Sequence, residues 1–548
     1  MAISIESARA LVRHAARAID LGATKQRALA YMAKISAGEV AFEVARQAVE
    51  LHGGQGVMRN EGIERYLRDA SLFFHIDGTN DIHRFRVIEE LFPGLAGQNA
   101  GPEPDGTAGH PAHGGLAGMA RRRNGEKSTK EMPRMALTME MQDLSMEQRL
   151  MRQTCREYVD GVVIPFIRAN RQREWLFEPD QRLPPEILEE ADQAGLRLLG
   201  VPTEYGGVEL DPKTEAQTFA FIATEIARGD AGLADKLAQN WKVSVLLRTL
   251  ATAELQDEWF RRYLAEPGFL MAHCLTEPKG ASDRWLPYNV PAANMDTRAV
   301  LSNGHWTING RKQFISNGYD ASLYVVYANT NPQVGMMQGT SSFLVPRDTP
   351  GLTVTRCNET IGGRYMNNGE IVFEDCRIPE NHLLAKDDAL GKAGVYFRPG
   401  KILQAAKNYG VGIAAFEDTA AFVQQHVQGG RVLIKHQAVA VRLAQMAIKL
   451  DAVGALLRHA ARAVDEGAAD ADKLCNVVKV FASEEILEVC KQAMELHGGN
   501  GSMLEMGIEK YFRDASVFLH MDATVDVSSF KIVKAMFPDT AGTYAGPE

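Results

Sequence analysis

Residues Glu50–Asp81 read ELHGGQGVMRNEGIERYLRDASLFFHIDGTND, and residues Glu495–Asp526 read ELHGGNGSMLEMGIEKYFRDASVFLHMDATVD. The offset of 445 (497 − 52 for the histidines, 522 − 77 for the aspartates) holds without a gap from Met1/Met446 to Glu103/Glu548. About half of the paired residues are identical, so this is an internal repeat. Two copies this far apart exclude a solenoid, whose units must stack on their neighbours. The chain therefore carries one helical piece of a larger domain twice.

The pattern of apolar residues divides the rest. Residues 1–103 carry them at three- and four-residue spacing, as in Val40, Val44, Ala48 and Leu51, which predicts helices. Residues 104–135 have no period and are rich in Gly, Pro, His and Arg, the composition of a linker. The helical period returns over 136–268. Short β-branched runs follow over 269–388, separated by turn signals such as Asn303-Gly304 and Asn309-Gly310. Residues 389–548 are helical again, and their last part repeats the opening block. The expected class is α+β: helical domain, small β-domain, helical bundle, plus the extra N-terminal block.

Composition narrows the function classes. The formal charge of −9 gives no support for nucleic-acid binding, and the dense basic cluster Arg121–Arg123 sits in the linker. The six cysteines are scattered without a C-x-x-C pair, which predicts reduced thiols in a cytoplasmic protein and no metal site. No apolar run approaches the ~20 residues of a membrane span.

Four motifs carry chemistry. The first is Cys274-Leu-Thr-Glu-Pro-Lys-Gly-Ala-Ser-Asp283, where hydroxyls and free N–H groups on a Gly-containing turn can hydrogen-bond an anionic or polar ligand. The second is Gly310-Arg-Lys-Gln-Phe-Ile-Ser-Asn317. The third is His497-Gly-Gly-Asn-Gly501, whose glycines let a backbone approach a phosphate. The fourth is Asp522-Ala-Thr-Val-Asp526, with Asp77-Gly-Thr-Asn-Asp81 as its first copy.

In this order the motifs resemble the acyl-CoA dehydrogenase family of flavoproteins, over about residues 136–548. The resemblance implies FAD as cofactor and an acyl-CoA substrate. Thr276 is then expected at the flavin ring and Ser282 between phosphate and substrate. Phe314 is expected beside the isoalloxazine, with Ser316 at its N5/O4 edge. Gly498, Gly499 and Gly501 would approach the FAD pyrophosphate of a neighbouring subunit, with Thr524 and Asp526 also on the cofactor. His426 stands where the family's R-x-x-F-G has its Arg, Lys401 where a helix Arg commonly lies near CoA, and Gly400 at an alternative base position.

The reaction implied is α,β-desaturation, with electrons passed to an electron-transferring flavoprotein. A carboxylate removes the α-proton, and the thioester carbonyl must be polarised by hydrogen bonds. Asp522 is the first choice for that base and Asp77 the alternative. Asp is one C–C bond shorter than the family's usual Glu, roughly 1.5 Å, which points to cyclic, branched or aryl acyl groups. Two other readings stay open: loss of sulfite or CO₂ from an acyl-CoA on the same fold, and a non-catalytic flavin- or CoA-binding paralogue. Family members are commonly tetramers packed through their C-terminal helices. A covalent copy of those helices could cover that surface, so a homodimer is expected over a tetramer. The rival role for the first copy is contact with an FAD.

Overall fold

A computed structural model describes residues 1–52, 62–93, 144–280 and 290–539. The expected linker and Ser282 lie outside them. The chain divides into two compact units, one of Val12–Leu137 with Glu417–Ile448, the other of Met1–Leu11, Thr138–Phe416 and Lys449–Glu548. No helix among the described residues is long and apolar enough to cross a membrane. All six cysteines are free.

The described residues among the first 93 form four helices: α1 (Ala2–Asp20), α2 (Gln26–Leu51), α3 (Ile63–Leu72) and α4 (Asn80–Leu91). Leu29, Met32 and Ile35 of α2 bury one face, as do Val87, Ile88 and Leu91 of α4, the three- and four-residue spacing of an amphipathic helix. Thr79 caps α4 by accepting from the Ile82 N–H at 3.3 Å.

From residue 144 onward the longer helices are α5 (Met146–Tyr158), α6 (Pro185–Gln193), α7 (Glu215–Gly229), α8 (Ala231–Leu250) and α9 (Ala253–Ala265). Ser145 and Gln148 form a reciprocal capping box at the start of α5. Helix α8 is buried on every face from Ala231 to Leu247, charged residues included.

Eight strands follow: β1 (Met271–Cys274), β2 (Arg298–Ser302), β3 (His305–Ile315), β4 (Leu323–Asn329), β5 (Thr340–Pro346), β6 (Leu352–Asn358), β7 (Asn368–Pro379) and β8 (Leu383–Ala385). They form one sheet in the order β6-β7-β3-β2-β4-β5-β8, with β1 parallel to β4. Strand β4 shows why both faces are apolar. Leu323, Val325 and Tyr327 enter a core with Trp259, Phe260 and Tyr263 of α9. Tyr324, Val326 and Ala328 enter a second core with Trp306, Phe343 and Phe373, as side chains alternate along a strand.

Asn303-Gly304 makes the expected turn, both residues having positive φ. Asn309-Gly310 does not: it lies inside β3, at a register shift against β7. Gly310 is needed there for packing, since a Cβ would fall 2.6 Å from the Thr297 Cα.

The long helices that follow are α10 (Gly394–Gln425), α11 (Gln437–Asp465), α12 (Ala471–Leu496), α13 (Ile508–Val517) and α14 (Val525–Met536). A two-stranded hairpin, Val427–Gln428 with Arg431–Val432, joins α10 to α11. The bounds of α12, α13 and α14 are those of α2, α3 and α4 moved on by the same 445 residues as the sequence repeat.

Candidate active site

The loop between α13 and α14 carries Asp522. Asp522 and Ala523 both have left-handed backbones, φ 51° and 86°, and Thr524 then caps α14 by accepting from the Val527 N–H at 3.3 Å. Side chains from α10 and α12 hold the carbonyls of this bend. Lys479 donates to the Leu519 oxygen at 3.2 Å, Ser483 to the Phe518 oxygen at 3.1 Å, and Lys401 to the Asp522 oxygen at 3.3 Å.

The Asp522 carboxylate meets buried cations. Its Oδ2 lies 3.4 Å from Lys242 Nζ of α8, and that ammonium also sits 4.8 Å from the centre of the Tyr396 ring. A Cβ on Gly400 would fall 3.8 Å from the same carboxylate oxygen, so the glycine leaves room beside it. Lys407 and Asp235 form a fully enclosed ion pair, and Asp235 accepts from the Ser316 hydroxyl at 3.4 Å. Burial opposes charge on Asp522, but Lys242, Lys407 and Lys401 outweigh it and hold its carboxyl below the usual carboxylate range. Lys242, desolvated yet beside Asp522, is held above the usual lysine range. Lys479 is driven down to about 8, chiefly by burial and then by repulsion from Lys401. Asp522 is thus an ionised carboxylate at the mouth of a cationic cluster.

The two strand motifs are braced by a pair that sequence reasoning missed. Glu277 of the first and Lys312 of the second are buried and lie 2.7 Å apart. Glu277 also accepts from the Asp296 and Thr297 N–H groups at 2.7 and 3.1 Å, and the Gln313 N–H donates to the Thr276 carbonyl at 3.0 Å. The clue was two opposite charges in motifs otherwise reading as buried strand ends. Thr276, just after β1, is half-buried. Phe314 sits at a bulge with φ 57° and is 58% exposed, an unusual cost for a large apolar ring that a stacked planar partner would remove.

In the third motif, His497 Nδ1 is 2.7 Å from the Ala493 carbonyl and ends α12. The Cα hydrogens of Gly498 and Gly499 face open space, whereas a Cβ on Gly501 would fall 2.2 Å from the Met494 carbonyl oxygen. Gly501 is therefore fixed by folding, while Gly498 and Gly499 offer bare backbone to an incoming group. The exposed ring and the bare backbone fit a flavin and its pyrophosphate. Asp526 is exposed in the first turn of α14.

Two expected residues belong to the other unit. His426 stacks on Phe422 with ring centres 4.8 Å apart, beside the hairpin glycines Gly429 and Gly430. Asp77 is exposed, with φ 56°, and its main-chain oxygen lies 2.7 Å from His83 Nε2. Lys34, the repeat counterpart of Lys479, donates to the Gly78 carbonyl and to Asn80 Oδ1, both at 2.8 Å. Asp522, Ser316 and the lysines are thus gathered into one cluster within the larger unit.

Comparison with known proteins completes the picture. The family models for the acyl-CoA dehydrogenase N-terminal, middle and C-terminal domains match residues 145–267, 272–376, and 1–92 with 393–535. The chain is 29% identical over 398 residues to an acyl-CoA dehydrogenase of Bacillus subtilis, covering 72% of this chain and 100% of that one. It is 31% identical over 318 residues to cyclohex-1-ene-1-carbonyl-CoA dehydrogenase of Geobacter metallireducens, covering 58% of this chain and 80% of that one. The structure of butyryl-CoA dehydrogenase from Megasphaera elsdenii superposes with a TM-score of 0.65 at 24% identity, over 73% of this chain and 100% of that one. A chain from a study of the electron transferring flavoprotein of Acidaminococcus fermentans does so at 0.65 and 26% identity, over the same shares. The chain belongs to the acyl-CoA dehydrogenase family.

Proposed function

We propose that this protein desaturates an acyl-CoA thioester between its α- and β-carbons, with Asp522 as the base. The observation that carries the reading is the half-buried, ionised Asp522 on a bend held by Lys401, Lys479 and Ser483. FAD, the family's cofactor, supplies the two-electron acceptor when bound. Phe314, Ser316 and Thr276 on the β-domain, with Ser282, are the residues to hold its ring. Gly498, Gly499, Gly501, Thr524, Asp526 and His426 are those to hold its remaining parts, some of them across a subunit boundary. The Asp522 carboxylate accepts the α-proton, and Lys401, tied to the Asp522 carbonyl, fixes the backbone from which that carboxylate projects.

The short Asp side chain favours compact acyl groups, cyclic, branched or aryl, over straight fatty chains. Similarity to an enzyme named for a cyclohexene-carbonyl thioester supports this. An electron-transferring flavoprotein is the proposed acceptor, supported by the likeness to the chain from the Acidaminococcus study. The first block is assigned a structural role in a homodimer. Tyr66, Leu72, Phe73, Ile76 and Ile82 are exposed on it, an apolar set suited to a subunit interface. Light scattering on the eluted protein giving a mass near four chains would rule the dimer out.

The deciding experiment is anaerobic titration of the yellow protein with a panel of acyl-CoAs, following flavin absorbance. Wild type and Asp77→Asn are expected to bleach, and Asp522→Asn is not. Bleaching lost in Asp77→Asn but kept in Asp522→Asn would overturn the assignment.

A further inference from the structure

A cleft of about 240 Å³ lies where the segment Pro179–Glu189 meets the turn between β3 and β4. Its polar end is made by Lys236 of α8, Asp320 and Asn367, of which Lys236 and Asn367 are buried. Asp180 and Glu189 stand at its exposed rim, and leucines and prolines wall the space between, among them Leu183, Leu188 and Leu270. The neighbour of Lys236 on α8, Asp235, pairs instead with Lys407. The cleft is therefore a separate feature from the cluster around Asp522.

The donors of the cleft turn on its own carboxylate. Lys236 Nζ is 2.6 Å from Asp320 Oδ2. The Asn367 amide nitrogen donates to the Pro179 carbonyl at 2.7 Å and to Asp320 Oδ2 at 2.8 Å. Both partners are acceptors, which fixes the orientation of that amide. Pro179, Pro185 and Pro267 bring carbonyls to the wall but no N–H.

Acceptors are in excess. Asn367 is 4% exposed, and its amide oxygen has no hydrogen-bond partner among the described residues. A buried acceptor left unpaired is destabilising, so this oxygen calls for a donor from outside the chain. The charge has the same bias: Asp180, Glu189 and Asp320 set three negative charges against the one of Lys236, an excess of two. An anion would be repelled, and an apolar molecule would leave the Asn367 oxygen unpaired.

We propose that this cleft binds a short α,ω-diamine. One ammonium group donates to Asp320 and the Asn367 amide oxygen, the other meets Asp180 and Glu189 at the rim, and the methylenes lie on the leucine and proline walls. Its two positive charges match the excess. At about 30 Å³ per water-sized group, a cleft of about 240 Å³ holds about eight non-hydrogen atoms, which fits four or five methylenes between two nitrogens. The site uses neither the flavin motifs nor Asp522 and goes beyond the desaturase reading.

The test is calorimetric titration of the holoenzyme with 1,4-diaminobutane, butylamine and 1,4-butanediol, which carry two, one and no charges. Wild type is expected to bind one diamine per chain, about 3- to 10-fold more tightly than butylamine, the range of one or two rim-exposed charge pairs. The diol is expected to give no signal. The double variant Asp180→Asn/Glu189→Gln, changed at exposed positions only, should bind the diamine no better than butylamine. Leu188→Trp, which fills the cleft from a half-exposed wall position, should bind neither amine; melting curves like that of wild type verify that both variants fold. A diol that binds as well as the diamine overturns the proposal. So does diamine binding that survives in both variants, since it then belongs to the acidic surface at large. Lysine amide binding more tightly than the diamine would make the occupant a partner's side chain and would also overturn it.

Discussion

Replacing Lys479 by Met should make the protein more stable. The Lys479 side chain is fully buried, and its ammonium donates to the Leu519 carbonyl at 3.2 Å. Burial, with repulsion from Lys401 added, lowers it from 10.5 to about 8 against the pull of Asp522 and Glu484. That difference corresponds to about 3 kcal/mol of strain in the charged form. Met fills most of the same volume but gives up one hydrogen bond, worth about 1 kcal/mol net. The variant should gain about 2 kcal/mol at neutral pH, read as a melting temperature a few degrees higher. The sign of the pH dependence follows from proton counting. Between about pH 8 and 10.5 the unfolded chain holds more of the Lys479 proton than the folded one, so wild-type stability rises with pH there. The advantage of Lys479→Met should therefore be largest below about pH 8 and fade toward pH 10. Calorimetric melts of both holoproteins across that range provide the assay. A lower melting temperature for the variant at neutral pH, or an advantage that does not narrow, would refute the reasoning.

Three further outcomes follow. Ala523→Gly should raise stability by about 1 kcal/mol, because a left-handed φ of 86° strains any residue with a Cβ; a denaturant midpoint that falls would refute it. Gly501→Ala should destabilise the fold by about 2 kcal/mol or more through the clash with the Met494 carbonyl, whereas Gly499→Ala should fold normally and retain less FAD; comparing melting curve and flavin content of the two separates the roles. Lys312→Met should cost about 3–5 kcal/mol by leaving Glu277 buried and unpaired, and a chemical-denaturation curve like that of wild type would contradict this.

The order of helices and strands was legible because apolar periodicity changes from three-and-four to two, and back, along the chain. The repeat was legible too, and the bounds of α12, α13 and α14 follow it without a slip. Asn309-Gly310 misled because Asn-Gly favours a tight turn, and here the close approach of Thr297 used the glycine differently. The lysine cluster was hidden for a different reason. Asp235, Lys236, Gln239 and Lys242 are charged or polar, the residue types that face water on most helices, yet α8 is buried all round. Their partners, Asp320 for Lys236, Lys407 for Asp235 and Asp522 for Lys242, lie 84, 172 and 280 residues away in sequence. Only the fold brings them within reach.

The bend that carries the proposed base occurs twice. Asp77 and Gly78 have φ values of 56° and 97°, and Asp522 and Ala523 have 51° and 86°. One bend is exposed and the other is ringed by lysines, yet each ends at a threonine that caps the next helix. The same backbone in such different surroundings is a property of the local segment, set as the two helices and their cap form. The carboxylate is thus aimed before any substrate arrives, and the entropy of aiming it is met during folding. Changes of chemistry in such a scaffold need not touch the bend: substitutions on the helices beside it, at positions such as Lys242 and Gly400, can reshape the space around the proposed base.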